Sequence, residues 1–306
     1  MQTTLRTEID FEGAGLHSGA PVRMRVLPAE PGFGICFDRV DLDEVDTLVP
    51  ARYDAVVEKP LCTRIVNASG VEVLTVEHIM AALAGCGISN ALIELDGPEV
   101  PIMDGCSAAF AAALIEAGVE IQDAPLQAIE IVKPVMVRDG DAVAMLSPAK
   151  SLEIEFQIDF EDAAIGSQSK SLNMANGTFV RELSDCRTFC RKADIDMMHA
   201  SGLALGGTYE NAVVVDGDAV LSPGGLRRKD EAVRHKMLDA LGDLALAGAP
   251  ILGRYTGRRA GHAMTNRLLR ALFDTPDAYR IVTCSAEQSR RLPGVGVKAA
   301  DLPLVA

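Results

Sequence analysis

Three of the five histidines in this 306-residue chain stand beside carboxylates at spacings that suit metal or proton-transfer chemistry. The sharpest run is Arg234-His235-Lys236-Met237-Leu238-Asp239-Ala240-Leu241-Gly242-Asp243-Leu244. His235, Asp239 and Asp243 are spaced i, i+4, i+8, which on a helix puts an imidazole and two carboxylates along one stripe, with Met237, Leu238, Leu241 and Leu244 as an apolar flank. A histidine and an aspartate one turn apart can ligate one metal ion. The plainer alternative is a solvated helix face carrying a His–Asp pair.

A second segment, Thr75-Val76-Glu77-His78-Ile79-Met80-Ala81-Ala82-Leu83, has Thr75 as its expected N-cap and Gly85 as its stop, so Glu77 and His78 fall in the first turn. Both can face a ligand placed off the helix N-terminus. Alternatively, Glu77 complements the helix dipole and His78 is a surface residue. His262 follows Gly261 at the start of the last expected helix, where the helix terminus depresses an imidazole pKa and a nearby carboxylate raises it. Such a residue could be an acid, a base or a simple cap. His17, in a glycine-flanked turn, and His199, among Met197, Met198 and Ala200, read as structural or surface residues.

Two histidines and one carboxylate leave a coordination position open for water, the mark of a hydrolytic rather than a structural zinc site; Fe2+ also suits such a set. The chain contains no HExxH, no GxSxG and no GxxxxGK[ST], so metalloprotease, serine hydrolase and P-loop readings lack support.

The elements that must position these groups alternate. Val22–Val26 and Asn90–Leu95 read as strands, and Ala108–Ala117 as a buried helix closed by Gly118. Gln122–Gln127 breaks the pattern, after which strands are expected at Ala128–Val132, Val135–Val137 and Leu152–Ile158, then helices at Glu231–Ala247 and His262–Phe273. A domain boundary is therefore expected near residue 124, giving an N-terminal α/β domain over 1–124 and a C-terminal one over 125–306, the second half resembling the first in element order.

Composition narrows the function. With 29 Lys+Arg against 43 Asp+Glu the net charge is −14, which excludes a generic nucleic-acid binder, since a phosphate backbone needs a basic stripe. No stretch approaches the ~18 apolar residues of a membrane span, and the N-terminus lacks an apolar signal core, so a cytoplasmic protein without a transmembrane segment is expected. The charge favours a monomer. Seven scattered cysteines without a CxxC pair indicate reduced thiols.

Taken together, GAGLHSG (13–19), TVEHIMAALAG (75–85), EVPIMDG (99–105), CRTF (186–189), LALGGTYENAVVVD (203–216), GLRRKDEAVRHKMLDALGDLALAG (225–248) and GHAMTNRLL (261–269) closely resemble the UDP-3-O-acyl-N-acetylglucosamine deacetylase family, the zinc amidohydrolases of lipid A biosynthesis. The resemblance implies an α/β (α+β) fold of two similar domains, each layering a β-sheet on helices, with the active site in the cleft and a small insert in each half, the second at about 195–214. It implies Zn2+ held by His78, His235 and Asp239, Glu77 as catalytic base, His262 as the other catalytic group with Asp243 as its partner, and Thr188 as the hydroxyl facing the oxyanion. Lys236 matches a substrate-contacting lysine, while Phe160 and Asp159 resemble uridine-binding positions. The implied substrate is a UDP-linked acylated amino sugar whose acyl chain enters a passage with Phe189 at its mouth and Met197, Met198, Leu203 and Leu205 as candidate walls. The alternative for those four is ordinary core. One departure matters: Cys190-Arg191 follows RTF where the family commonly has Gly-Phe, which leaves the acyl-length preference open.

Overall fold

The computed structural model describes residues 1–43 and 45–303. Its first sheet is built from β1 (Ile9–Ala14), β2 (Pro21–Pro28), β3 (Ile35–Arg39), β4 (Leu48–Pro50) and β5 (Ala91–Leu95), in the order β1-β2-β5-β3-β4. Helix α1 (Glu77–Cys86) precedes β5 and helix α2 (Ala108–Ala117) follows it. Binary patterning explains which face is covered: Val22, Met24 and Val26 of β2 are buried while Arg23 and Arg25 between them are exposed.

The second sheet repeats this plan. It contains β6 (Val135–Asp139), β7 (Ala142–Ser147), β8 (Glu153–Asp159), β9 (Ser167–Asn173) and, after two intervening segments, β13 (Arg254–Arg258), in the order β6-β7-β13-β8-β9. In both sheets the pairings run antiparallel, antiparallel, parallel, antiparallel across that order. Ile154, Phe156 and Ile158 of β8 point inward and alternate with exposed Glu155 and Gln157. The intervening stretch carries β10 (Phe189–Arg191), α3 (Lys192–Ala200), β11 (Val213–Asp216) and β12 (Ala219–Val220), and then α4 (Glu231–Ala245). Helix α5 (His262–Phe273) follows β13 as α2 follows β5.

Helices α1 and α4 meet between the two layers. Both are buried on nearly every side, α1 along its whole length except Ala84. Their approach depends on Gly242: a Cβ there would stand 2.0 Å from the Glu77 carbonyl oxygen, a backbone atom that cannot swing aside. Gly242→Ala must therefore part the helices, and overpacking of this kind costs about 1–3 kcal/mol. The expected result is a lower urea midpoint with an unchanged m-value, measured with chelator present for both proteins; a wild-type midpoint would refute the close-approach argument.

Helix α1 differs from the sequence expectation at both ends. Thr75 does not cap it, because Thr75 takes a left-handed conformation (φ 59°) and its hydroxyl donates to Glu99 Oε1 at 2.9 Å. Gly85 does not stop it either. The helix runs on to Cys86 and ends at left-handed Gly87, whereas a Cβ on Gly85 would lie 2.1 Å from the Phe179 ring. Gly85 is thus a packing glycine and Gly87 the terminating one. The other expected elements lie within a few residues of their predicted limits.

Candidate active site

The first turn of α1 and the middle of α4 converge on one point. His78, His235 and Asp239, all buried, offer ligand atoms within 4.8 Å of one another. His235 Nε2 lies 3.2 Å and His78 Nε2 3.7 Å from Asp239 Oδ1. The i, i+4 spacing on α4 stacks His235 over Asp239, and the α1 approach brings His78 to them. His235 Nδ1 stands 3.0 Å from the Cys186 carbonyl oxygen, to which it donates as the neutral tautomer, leaving the Nε2 lone pair aimed at the trio.

The trio fits a zinc ion. Asp239 Oδ1, the oxygen that faces both imidazole Nε2 atoms, is buried without a hydrogen-bond partner, a costly state for a polar atom unless another group satisfies it. Two imidazoles and a carboxylate are also the donor set of an open, hydrolytic zinc site. Burial, reinforced by His235, pushes His78 down to about 3 against the opposing charge of Asp239, so it is neutral as a ligand must be. Burial likewise lowers His235. Asp239 is disfavoured as an anion by burial, but the positive charges of His235, Lys236 and His262 outweigh this and hold it well below the usual carboxylate range.

Glu77 and His262 face each other beside this cluster. His262 Nε2 is 3.7 Å from Glu77 Oε1 and 3.9 Å from Asp239 Oδ2, and its Nδ1 donates to Asp243 Oδ2 at 2.9 Å. Burial is the largest influence on both. It pushes Glu77 up to about 7, with His262 opposing and the Asp243 and Asp239 charges adding. It would depress His262, but Asp243 and Glu77 outweigh it and raise the imidazole to about 9. The result is a carboxylate poised near neutral pH facing an imidazolium that stays charged there.

The remaining expected residues are placed with varying directness. The strand segment holding Cys186, Thr188 and Phe189 runs past α4, fixed by Thr188 N–H to Gly105 O at 2.8 Å and Val213 N–H to Thr188 O at 2.7 Å. Phe189 lies edge-on between Phe160 (5.3 Å between centroids) and His235 (6.3 Å), so Phe160 reaches the cluster only through Phe189. Lys236 folds back along its own helix, its Nζ 2.7 Å from Asp239 Oδ2. Asp159 is exposed and engaged by Ser167 Oγ at 2.5 Å and by Arg259. Arg191 pairs with Asp162. His17 is buried, its Nδ1 accepting the Ala204 N–H at 3.2 Å, while exposed His199 contacts the Ala204 carbonyl, in keeping with structural and surface roles. No residue of α3 is buried, and Met197 and Leu205 are 65% and 54% exposed, so these two are not ordinary core.

Sequence reasoning missed the supports. Glu231 accepts from Arg187 N, Nε and Nη2 and from Arg227 N, a buried clamp that ties the segment bearing Thr188 to the first turn of α4. Glu99 accepts the amides of His17 and Ser18, both at 2.8 Å, besides the Thr75 hydroxyl. A buried polar side chain at a turn signals an internal partner only once the fold is known. Neither carboxylate stands in a recognisable spacing with its donors.

A buried two-histidine, one-aspartate centre flanked by a carboxylate and a charged imidazole defines a metal-dependent hydrolase. Residues 2–274 match the family model described as "LpxC: UDP-3-O-acyl N-acetylglycosamine deacetylase", and the chain belongs to that family. Among its relatives, the UDP-3-O-acyl-N-acetylglucosamine deacetylase of Phenylobacterium zucineum (strain HLK1) is 48% identical over 282 residues, covering 92% of this chain and 96% of the relative. That of Myxococcus xanthus (strain DK1622) is 47% identical over 296 residues, covering 97% and 93%. That of Shewanella frigidimarina (strain NCIMB 400) is 43% identical over 288 residues, covering 94% of each.

Proposed function

We propose that this chain hydrolyses the 2-acetamido group of UDP-3-O-(3-hydroxyacyl)-N-acetylglucosamine, releasing acetate and the free 2-amino sugar, the committed step of lipid A biosynthesis. The observation that carries this reading is the contact of a carboxylate with an imidazolium beside a buried zinc-binding trio. Zinc bound by His78, His235 and Asp239 supplies Lewis acidity toward water and the amide carbonyl. Glu77 takes a proton from the water as its oxygen bonds to the carbonyl carbon. His262, held charged by Asp243, gives its Nε2 proton to the departing nitrogen as the C–N bond breaks. The Thr188 hydroxyl faces the oxyanion, and donors of this kind contribute about 3 kcal/mol when judged by removal.

Substrate contacts complete the reading. Lys236 leaves Asp239 to meet the sugar or a phosphate, Phe160 and Asp159 receive the uridine, and Phe189 stands at the entrance of an acyl passage walled by the 195–214 insert. The exposed apolar surface of Met197 and Leu205 supports that last assignment. The two-domain division near residue 124 is supported by the repeated pairing order of the sheets. No helix among the described residues is long and apolar enough to cross a membrane, which supports a cytoplasmic place, and the net charge of −14 supports a monomer.

Acetate release from substrates of several acyl lengths tests the whole. Release should vanish on chelation and return with zinc. Folded, zinc-loaded protein that releases no acetate from any of them would overturn the reading.

A further inference from the structure

Thr63 closes a ring of polar contacts that runs through Glu77, Asp243 and His262. Buried at 3% exposure, it donates its backbone N–H to Glu77 Oε2 at 3.0 Å and its hydroxyl to Asp243 Oδ1 at 2.5 Å. Its carbonyl accepts the Val76 N–H at 3.4 Å, so the residue is tied to the entry of α1 as well. Asp243 passes the connection on through its other oxygen, Oδ2, which accepts from His262 Nδ1 at 2.9 Å. His262 Nε2 then returns to Glu77 through Oε1, at 3.7 Å. Thr63 and Glu77 come from the first half of the chain, Asp243 and His262 from the second.

Each link has a chemical consequence. A carboxylate has two equivalent oxygens and a free χ torsion, and occupying Oε2 of Glu77 leaves Oε1 as the oxygen that faces His262. Asp243 has the same freedom, and the Thr63 hydroxyl removes it by fixing Oδ1, so that Oδ2 alone meets the imidazole. Of the links that Thr63 makes, the hydroxyl is the one that a substitution can delete without changing shape. The backbone donor survives any side-chain change.

We infer that Thr63 is a positioning residue whose hydroxyl sets the Asp243 carboxylate, and through it the His262 ring, at the working distance from Glu77. This rests on the roles proposed above for Glu77 and His262. The Thr63 hydroxyl touches no reacting atom, and its effect passes wholly through Asp243.

The test compares Thr63→Val, which keeps the volume and loses the hydroxyl, with Thr63→Ser, which keeps the hydroxyl. Steady-state acetate release is measured on zinc-loaded protein, with zinc content and thermal midpoint determined for each variant. Thr63→Val is expected to lower kcat by about 10- to 100-fold, the usual cost of losing an outer partner of a catalytic group, with KM within about twofold of wild type and zinc content unchanged. Thr63→Ser is expected to recover most of kcat. In an Asp243→Asn background, Thr63→Val should add little, because two residues in one chain of contacts are not additive. A Thr63→Val kcat within about twofold of wild type, a serine variant as impaired as the valine one, or full multiplication of the two effects would each overturn the inference. Glu77→Gln and His262→Ala run alongside: if these retain full turnover, the proposed roles fail as well, whereas if they lose it and Thr63→Val does not, only the positioning role fails.

Discussion

Replacing Glu77 with glutamine lowers kcat for acetate release by about 100- to 10,000-fold, the range over which a positioned general base contributes. The same variant keeps its zinc. Glutamine preserves the shape of the side chain and an acceptor oxygen for the Thr63 N–H, but its amide has no basic oxygen to take a proton from water. The metal should be indifferent to the change, since the trio consists of His78, His235 and Asp239 and does not include Glu77. The pH profile carries a second signature. In the proposed role Glu77 works ionised, and burial pushes it up to about 7, so wild-type activity should fall as pH drops through that region. That acidic limb should be missing from the residual activity of the glutamine variant. Zinc content falling in step with turnover would move Glu77 from base to ligand and contradict the assignment.

Asp239→Ala is expected to remove the metal itself. The carboxylate is the single negative group of the trio, and the Lys236 ammonium 2.7 Å away would then lose its nearest counter-charge. Two neutral imidazoles next to an ammonium that has lost its direct partner make a poor home for a dication, and a fall in zinc affinity of more than about 100-fold is expected, beyond the usual loss of an outer-shell partner. Competition with a chromogenic chelator measures this directly, without reference to turnover. Wild-type affinity in the alanine variant would exclude Asp239 from the ligand set.

The stripe on α4 was legible because helical periodicity alone brings His235, Asp239 and Asp243 to one face, and the terminating signals around the helix are strong. His78 and Glu77 were legible only as a pair near a helix start. Nothing in their local sequence says that the start lies against α4, and that meeting is set by Gly242, whose need for space appears only when the two helices are together. The misread ends of α1 have a similar cause. Thr75 is a good capping residue by type, yet its hydroxyl is claimed by Glu99 from a distant loop, a tertiary demand that local preference cannot register. Gly85 and Gly87 differ in role because of Phe179, again a partner remote in sequence. Thr63, Arg187, Glu231 and Glu99 were given no role for one reason: a single polar residue, even inside a distinctive segment, acquires meaning from partners that only the fold brings to it.

The repeated plan of the two sheets bears on how many sites a chain can have. Helices α1 and α4 occupy equivalent places in the two halves, and so do α2 and α5. The chemistry has not followed the scaffold. The start of α5 carries His262, whereas Ser107 at the start of α2 spends its hydroxyl on the His78 carbonyl at 2.9 Å. With the roles proposed above, a doubled scaffold with an undoubled set of working groups amounts to a division of labour: one half lends a ligand and the proton acceptor, the other lends two ligands and the proton donor. Neither half alone holds the full set, and because the equivalent helices meet at a single seam, the described residues form one two-histidine, one-aspartate cluster, which on the proposed reading means one catalytic metal ion for each chain.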